Sequence, residues 1–295
     1  MSVQHAEIIL ILQMMKATDE RWRTEIAGWI QVSGEDARDY LQSQFSQDIR
    51  EIKQGESAYG LFLSLKGKVR ADGFVYGLQN DEFAVVSYHC PLEELADLLE
   101  ENVIADDVEF QLVRAGGSYI IKEREKPERP EGTLVFPGRW MKAEHWDVIL
   151  PKNEKTPENC RSAQELEQIR LQDGVIAVPQ DIGPEELPQE GGLEEVAVSF
   201  NKGCFLGQEV MARLKAMGKV QRRIYQVQGD GVVPTSGEKI LCGEAEAGEL
   251  RSACPGVAEN TWLGLALLRR KFVENEDSAD WKLASGNPLH IGETC

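Results

Sequence analysis

The chain is short of positive charge. It carries 32 Lys and Arg against 50 Asp and Glu, a formal net charge of −18 over 295 residues. Most of such a surface repels nucleic-acid phosphates and anionic lipid headgroups, so neither is expected as a direct partner. A long apolar run is also missing. The longest near the N-terminus, Ile8 to Leu12 followed by Gln13, Met14 and Met15, is too short to cross a bilayer. Glu7 precedes it, and no basic stretch or small-residue cleavage site frames it. It reads as a packed first element, and the expected location is cytoplasmic. Metal-ligand spacing is absent as well. The six cysteines, at 90, 160, 204, 242, 254 and 295, form no Cys-x-x-Cys pair, and the four histidines stand at 5, 89, 145 and 290. No zinc or iron–sulfur ligand set is visible, and no resident metal is expected. With no sign of secretion, the thiols read as reduced.

What is present is ordinary for a folded chain. Hydrophobic residues make up 42% and charged residues 28%, and the length suits two domains or three small ones. Period and turn signals predict an α+β alternation with hairpins. Trp29 to Val32 reads as a strand and Asp36 to Phe45 as a helix. Tyr59 to Leu65 and Val69 to Gly77 read as a hairpin around Lys66-Gly67-Lys68. Phe83 to Tyr88 is a further strand, and Leu92 to Glu101 and Asn159 to Leu171 are helices. Lys122 to Glu131 has no apolar residue and two prolines, the signature of a solvated loop. Gln164 to Val196 holds nine acids, one base and Pro179, Pro184 and Pro188, and reads as mostly exposed loop. From Val220 onward, short β-like runs between Gly, Pro and Asn turns predict a small β-barrel or sandwich, with Glu274 to Asp280 as a charged surface turn.

One segment breaks the acidic pattern. Asn201 to Arg223 has six bases and one acid. Such a cluster meets either an anionic ligand or the acidic stretch just before it. Gly207 to Met217 reads as a helix with Gly218 as its C-cap, a Glu209–Arg213 pair at i,i+4, and Val210, Leu214 and Met217 on a core face. Cys204 stands just ahead of this helix, with Lys202 two residues before it and Gly203 and Gly207 on either side. A helix start and a nearby cation both favour thiolate. The other reading is an inert buried cysteine, with Gln208 and Glu209 as cap and ion-pair residues.

Lys202-Gly203-Cys204-Phe205-Leu206-Gly207-Gln208-Glu209, with Ala212-Arg213 and Gly218-Lys219-Val220 after it, resembles the signature of the YgfZ family. These are folate-binding proteins related to the glycine-cleavage T-protein and tied to iron–sulfur cluster assembly or repair. The resemblance extends along most of the chain, through Gly34 to Ala37, Leu41 to Asp48, Leu63 to Val69, Leu187 to Gln189, Gly248 to Ser252 and Gly264 to Arg269. It implies an α+β fold of T-protein type in three parts: a folate-binding part at 1–115, a second α+β part carrying the Cys204 motif at 116–218, and a C-terminal β-barrel at 219–295. Two departures separate the chain from the T-protein itself. Where the T-protein has adjacent acids before a strand, this chain has Ala71-Asp72. Where its Arg-x-Glu-x-Gly segment places a carboxylate, this chain has Gln172.

The resemblance makes tetrahydrofolate, or a one-carbon-substituted folate, the expected ligand. An anionic glutamate tail needs Lys or Arg, and Arg213, Lys215, Arg222 and Arg223 are the residues at hand, although Arg222 and Arg223 equally suit a surface position at the barrel entry. Lys202, Gly203, Gly207, Gln208, Glu209, Asp48 and Gln172 complete the expected folate-side set; Asp48 equally suits a turn. Cys204 and Asp72 are the expected reactive groups. The implied role is a helper in iron–sulfur cluster maintenance, with iron–sulfur enzymes or cluster carriers as partners and an indirect link to tRNA modification. The rivals are an aminomethyl or methyl transferase using Asp72, and a scaffold that has lost its ligand.

Overall fold

The structure is a computed structural model, and it describes residues 20–218, 220–274 and 280–295. The first apolar run, Lys219 and the centre of the 274–280 turn lie outside the described residues.

Three antiparallel sheets organise the chain. Strand β1 (Glu20–Thr24) is followed by β2 (Gly28–Ser33), helix α1 (Ala37–Gln44), β3 (Ser57–Leu63), β4 (Val69–Gly77), β5 (Phe83–Val86), helix α2 (Leu92–Glu100) and β6 (Glu109–Arg114). Strands β2 to β6 form one five-stranded sheet in the order β3-β4-β5-β2-β6. Strand β1 does not join it. It crosses to a second sheet, ordered β1-β7-β9-β8, built with β7 (Gly117–Lys122), β8 (Leu134–Pro137) and β9 (Trp146–Leu150).

The elements follow from their sequences. Helix α2 buries Leu92, Leu95, Ala96 and Leu99, an i, i+3, i+4, i+7 stripe, against the first sheet. On β4, Ala71 and Val75 face that helical layer, while Phe74 and Tyr76 face the centre of the molecule. This two-sided burial explains why Val69 to Gly77 reads as a nearly continuous apolar run.

Helix α3 (Ala163–Asp173) starts at Ser162, whose Oγ accepts from the Glu165 amide at 3.2 Å, and stops at the left-handed Gly174. The short helix α4 (Glu194–Ala197) and helix α5 (Gln208–Met217) precede the last sheet. That sheet comprises β10 (Arg222–Asp230), β11 (Lys239–Cys242), β12 (Ala245–Pro255), β13 (Thr261–Arg269), β14 (Trp281–Leu283) and β15 (Leu289–Thr294). Its order is β14-β11-β12-β13-β10-β15, and a bridge between Lys282 and Pro288 brings β14 back beside the start of β15. Trp262, Leu250, Ile240 and Leu283 fill the resulting half-barrel.

The stretch 175–196 departs from expectation. It is largely buried between the three sheets, with Ile176, Val178 and Ile182 in the central core alongside Leu61, Phe136 and Leu267. Three of its acids, Asp181, Glu186 and Glu190, are buried, and bases from elsewhere meet them. Asp181 binds Arg170, Glu186 binds Arg222 and Arg251, and Glu190 binds Arg222. Composition alone cannot reveal such partners, because two of the three bases come from the barrel.

Candidate functional site

The cysteine loop is clamped from both ends. Lys202 does not turn its ammonium towards Cys204. It donates to the backbone carbonyls of Gln42, Phe45 and Gln47, at 2.7, 2.6 and 2.8 Å. These carbonyls end or follow α1, where the last turn lacks intrahelical donors and the helix dipole favours a cation. Burial pushes the Lys202 ammonium down to about 8. The expected pairing of Lys202 with the thiol is therefore corrected: its three donors are committed to α1.

Gly207 is needed for a different reason. Its φ is +84°, and a Cβ there would lie 2.7 Å from the Ser64 carbonyl oxygen, so the chain passes directly over the β3–β4 turn. The side-chain oxygen of Gln208 accepts from the Phe205 amide at 3.3 Å. Met211 is the fully buried residue of α5. Val210 and Leu214 are only half-buried, and the side chain of Met217 lies outside the described residues. Val210 instead packs on Gly67 at the hairpin turn. Glu209 and Arg213 are both exposed, and among the described residues no ion pair joins them. Cys204 and Gly203 are exposed, and Cys204 borders a cleft of about 440 Å³ shared with Ser43, Leu65 and Glu209.

The basic cluster does not converge. Arg222 holds Glu190 through Nε at 2.7 Å and lies 3.4 Å from Glu186, as the acidic stretch would require of a neutralised cluster. Arg223 lies beside Gly192 and Glu194, Lys215 sits 3.8 Å above the Phe200 ring, and Arg213 points to solvent. Asp48 is a turn and ion-pair residue. Its carboxylate accepts from the Arg50 guanidinium at 2.5 and 3.0 Å, and that hydrogen bond holds it well below the usual carboxylate range. Gln172 is exposed and lines a cavity of about 630 Å³ against the barrel, whose lining does not include Asp72.

Asp72 lies elsewhere, in a packed polar and aromatic cluster between the first two sheets. It is 1% exposed on β4. The Tyr59 hydroxyl donates to Oδ2 at 2.7 Å and the Ser87 hydroxyl to Oδ1 at 3.4 Å. Burial pushes the Asp72 carboxyl up to about 6, against the opposing effect of these donors and of the Arg139 guanidinium. Arg139 stacks 4.2 Å above the Tyr59 ring. Its backbone amide donates to the Tyr88 hydroxyl at 2.8 Å, and that hydroxyl donates to Asp147 Oδ2 at 2.5 Å. Burial pushes Asp147 up to about 7. His145 is fixed in one tautomer: Nδ1 donates to the Ala143 carbonyl at 2.7 Å, and Nε2 accepts from the Trp140 amide at 3.1 Å. Phe74, Phe136, Tyr88 and Trp140 supply the rings, with centroid separations of 4.6 to 5.4 Å between neighbours.

Three buried polar atoms of these side chains have no partner among the described residues: Arg139 Nη1, Trp140 Nε1 and Asp147 Oδ1. Leaving such groups unpaired costs about 1–3 kcal/mol each. Sequence reasoning reached Asp72 but missed Tyr59, Arg139 and Asp147. The available signal was Asp147 itself, a lone acid inside the apolar run Trp146 to Leu150.

Comparisons with known proteins agree with this architecture. The profile of the GCVT N-terminal domain matches residues 24–119, and that of the CAF17 C-terminal β-barrel domain matches residues 221–294. A tRNA-modifying protein YgfZ from Vibrio vulnificus is 26% identical over 243 residues, covering 75% of this chain and 74% of that protein. An aminomethyltransferase from Staphylococcus carnosus is 21% identical over 286 residues, covering 84% and 78%. The crystal structure of the glycine cleavage system aminomethyltransferase T from Bartonella henselae superposes with a TM-score of 0.76 at 14% identity, covering 96% of this chain and 88% of that one. The chain thus has a T-protein fold with a CAF17-like C-terminal barrel, and it is similar to YgfZ proteins along three quarters of its length.

Proposed function

We propose that this protein binds a reduced folate at the Asp72 cluster and supports iron–sulfur cluster assembly or repair. The observation that carries the folate part is a cluster of aromatic rings, a buried carboxylate and unpartnered donors and acceptor, set in a T-protein fold. The residues fit a pterin, which has flat faces and a polar edge. Tyr59 and Tyr88 offer ring faces, and Asp72, Arg139 and Asp147 offer polar contacts. The folate, when bound, supplies a carrier for a one-carbon unit. Exposed Arg213 is the cation proposed for its glutamate tail. Anaerobic calorimetric titration with tetrahydrofolate is the direct test. Saturable binding, weakened at least tenfold by Asp72→Asn, is the expected result; no binding would leave the fold without its ligand.

Binding is favoured over transfer by the state of Asp72. An aminomethyl transferase needs a carboxylate free to orient an ammonium. Here both oxygens of Asp72 already accept hydroxyl donors, and a guanidinium stands next to them. The same position of Asp72 keeps the transferase as the second reading, for which methylene-tetrahydrofolate formed from an amine donor would be the evidence.

Cys204 is the proposed contact thiol for a cluster or a cluster carrier. Its support is exposure on a loop that Lys202 and Gly207 hold in place. Among the described residues no group of three His, Cys, Asp or Glu side chains is placed to hold a metal ion, so the cluster would be cargo. A Cys204→Ala variant is expected to fail in restoring iron–sulfur enzyme activity to a strain lacking this protein. Full restoration would take Cys204 out of the mechanism. No helix among the described residues is long and apolar enough to cross a membrane. With a net charge of −18, the link to tRNA modification is proposed to run through cytoplasmic iron–sulfur enzymes that modify tRNA, and binding of tRNA at physiological salt would contradict it.

A further inference from the structure

Cys204 stands on a turn whose two flanks are fixed and whose tip is free. Before the thiol, Lys202 commits all three ammonium protons to the carbonyls of Gln42, Phe45 and Gln47, at 2.7, 2.6 and 2.8 Å. After it, the ring of buried Phe205 lies 5.4 Å from the same ammonium, and the Leu206 amide donates to the Ser43 carbonyl at 2.9 Å. Between these anchors Gly203 and Cys204 are exposed, and a Cβ at Gly203 would meet nothing within 4 Å. The anchoring segment is itself fixed. Phe45 and Ser46 are fully buried, and the Phe45 ring packs 5.1 Å from that of Phe62. The Ser46 amide donates to the Leu61 carbonyl on β3 at 3.0 Å, and its hydroxyl accepts from the Leu61 amide at 2.7 Å and donates to the Ala197 carbonyl at 2.5 Å. Hydrogen bonds from a charged donor are roughly twice as strong as neutral ones, so the ammonium is the firmest tie between the loop and this segment.

We propose that Lys202 is the positioning residue of Cys204: its ammonium, seated on three carbonyls at the end of α1, sets where the thiol stands relative to the first sheet, and contact with a partner depends on that seat. This rests on the reading of Cys204 as the contact thiol. An ammonium that already donates three protons has none left for a thiolate, so Lys202 acts through geometry and not as a hydrogen-bond donor to the sulfur. The advantage is pre-organisation. A thiol on an untethered loop must be ordered at every encounter, whereas fixed flanks remove that cost beforehand.

The test uses the full chain carrying Lys202→Ala or Lys202→Met, the second of which keeps the apolar stem. Amide hydrogen exchange is followed at Ser199 and Leu206, which donate to the Ser46 and Ser43 carbonyls, with the β3–β4 hairpin as internal reference. Exchange at these two amides should quicken at least about tenfold in both variants, while the hairpin amides keep their rates. Both variants should also fail to restore iron–sulfur enzyme activity to a strain lacking this protein, although they accumulate there to the parent level. Unchanged exchange at Ser199 and Leu206, or full restoration despite faster exchange, would overturn the positioning role. If Lys202→Ala does not fold, Lys202→Met decides. If neither reaches the parent level in the cell, Lys202 serves folding alone and the proposal fails. Full restoration by the lysine variants but not by Cys204→Ala sinks only the positioning. Full restoration by Cys204→Ala removes the contact-thiol reading and the positioning together.

Discussion

Arg170→Ala is expected to destabilise the protein by about 3–5 kcal/mol, the range for removing one partner of a buried ion pair. The side chain of Arg170 is 1% exposed and that of Asp181 is fully buried. From α3, Nη1 donates to Asp181 at 2.6 Å and to the Val175 carbonyl at 2.5 Å, while Nε and Nη2 bind Glu167 at 2.7 and 2.6 Å. Asp181 in turn accepts from the Ala177 amide at 2.8 Å and from the Ser252 hydroxyl on β12. One guanidinium thus ties α3, the buried 175–196 segment and the barrel together. Without it, Asp181 becomes an uncompensated carboxylate in the core. Urea unfolding should show the loss as a lower midpoint. The Arg170→Met, Asp181→Leu double variant should lose less than Arg170→Ala, since neither charge is then stranded. A single-variant loss under 1 kcal/mol would mean that the pair does not hold the three parts together.

The second large effect is a change of pH dependence in Asp147→Asn. An aspartate in the unfolded chain titrates near 3.8, whereas burial pushes Asp147 up to about 7 in the fold. Between those values the folded protein holds a proton that the unfolded chain releases. The stabilisation from protonated Asp147 is therefore complete below about 3.8 and is lost as pH rises through about 7. At about 1.4 kcal/mol for each pH unit within that window, Asp147 should lower parent stability by about 2–3 kcal/mol between pH 5 and pH 8. Asparagine cannot titrate and still offers Tyr88 an acceptor, so the variant should lack this part of the slope. Asp72 acts with the same sign up to about 6 and is common to both proteins. Identical slopes in urea titrations at pH 5 and pH 8 would show that Asp147 does not titrate in this range.

The elements that local pattern determines were legible in the sequence. The hairpin around Gly67, the whole of β4, the leucine stripe of α2 and the helix ending at Gly218 follow from period and turn chemistry. What was not legible depends on partners distant in the chain. The acids of 181–190 look solvated until Arg170, Arg222 and Arg251 are placed against them. Lys202 looks like a neighbour of Cys204 until the fold brings the end of α1 to its ammonium, a contact spanning 155 to 160 residues. The site shows the same split. Asp72 came from a motif, whereas Arg139 and Asp147 lie in a stretch without one and become meaningful only when β8 and β9 face β3 and β4 through Phe136 and Phe74.

Strand β1 is synthesised early and used late. Its register runs from Glu20 against Lys122 to Thr24 against Ser118, so its partner leaves the ribosome about a hundred residues after it. The five-stranded sheet lies wholly between these two segments and contains every strand it needs before β7 is translated. All five strands of the first sheet therefore leave the ribosome before the strand that pairs with β1. Trp22, 2% exposed in the finished protein, stays unshielded by β7 for that interval. The nascent chain thus carries Trp22 without its β-sheet cover until the chain reaches β7.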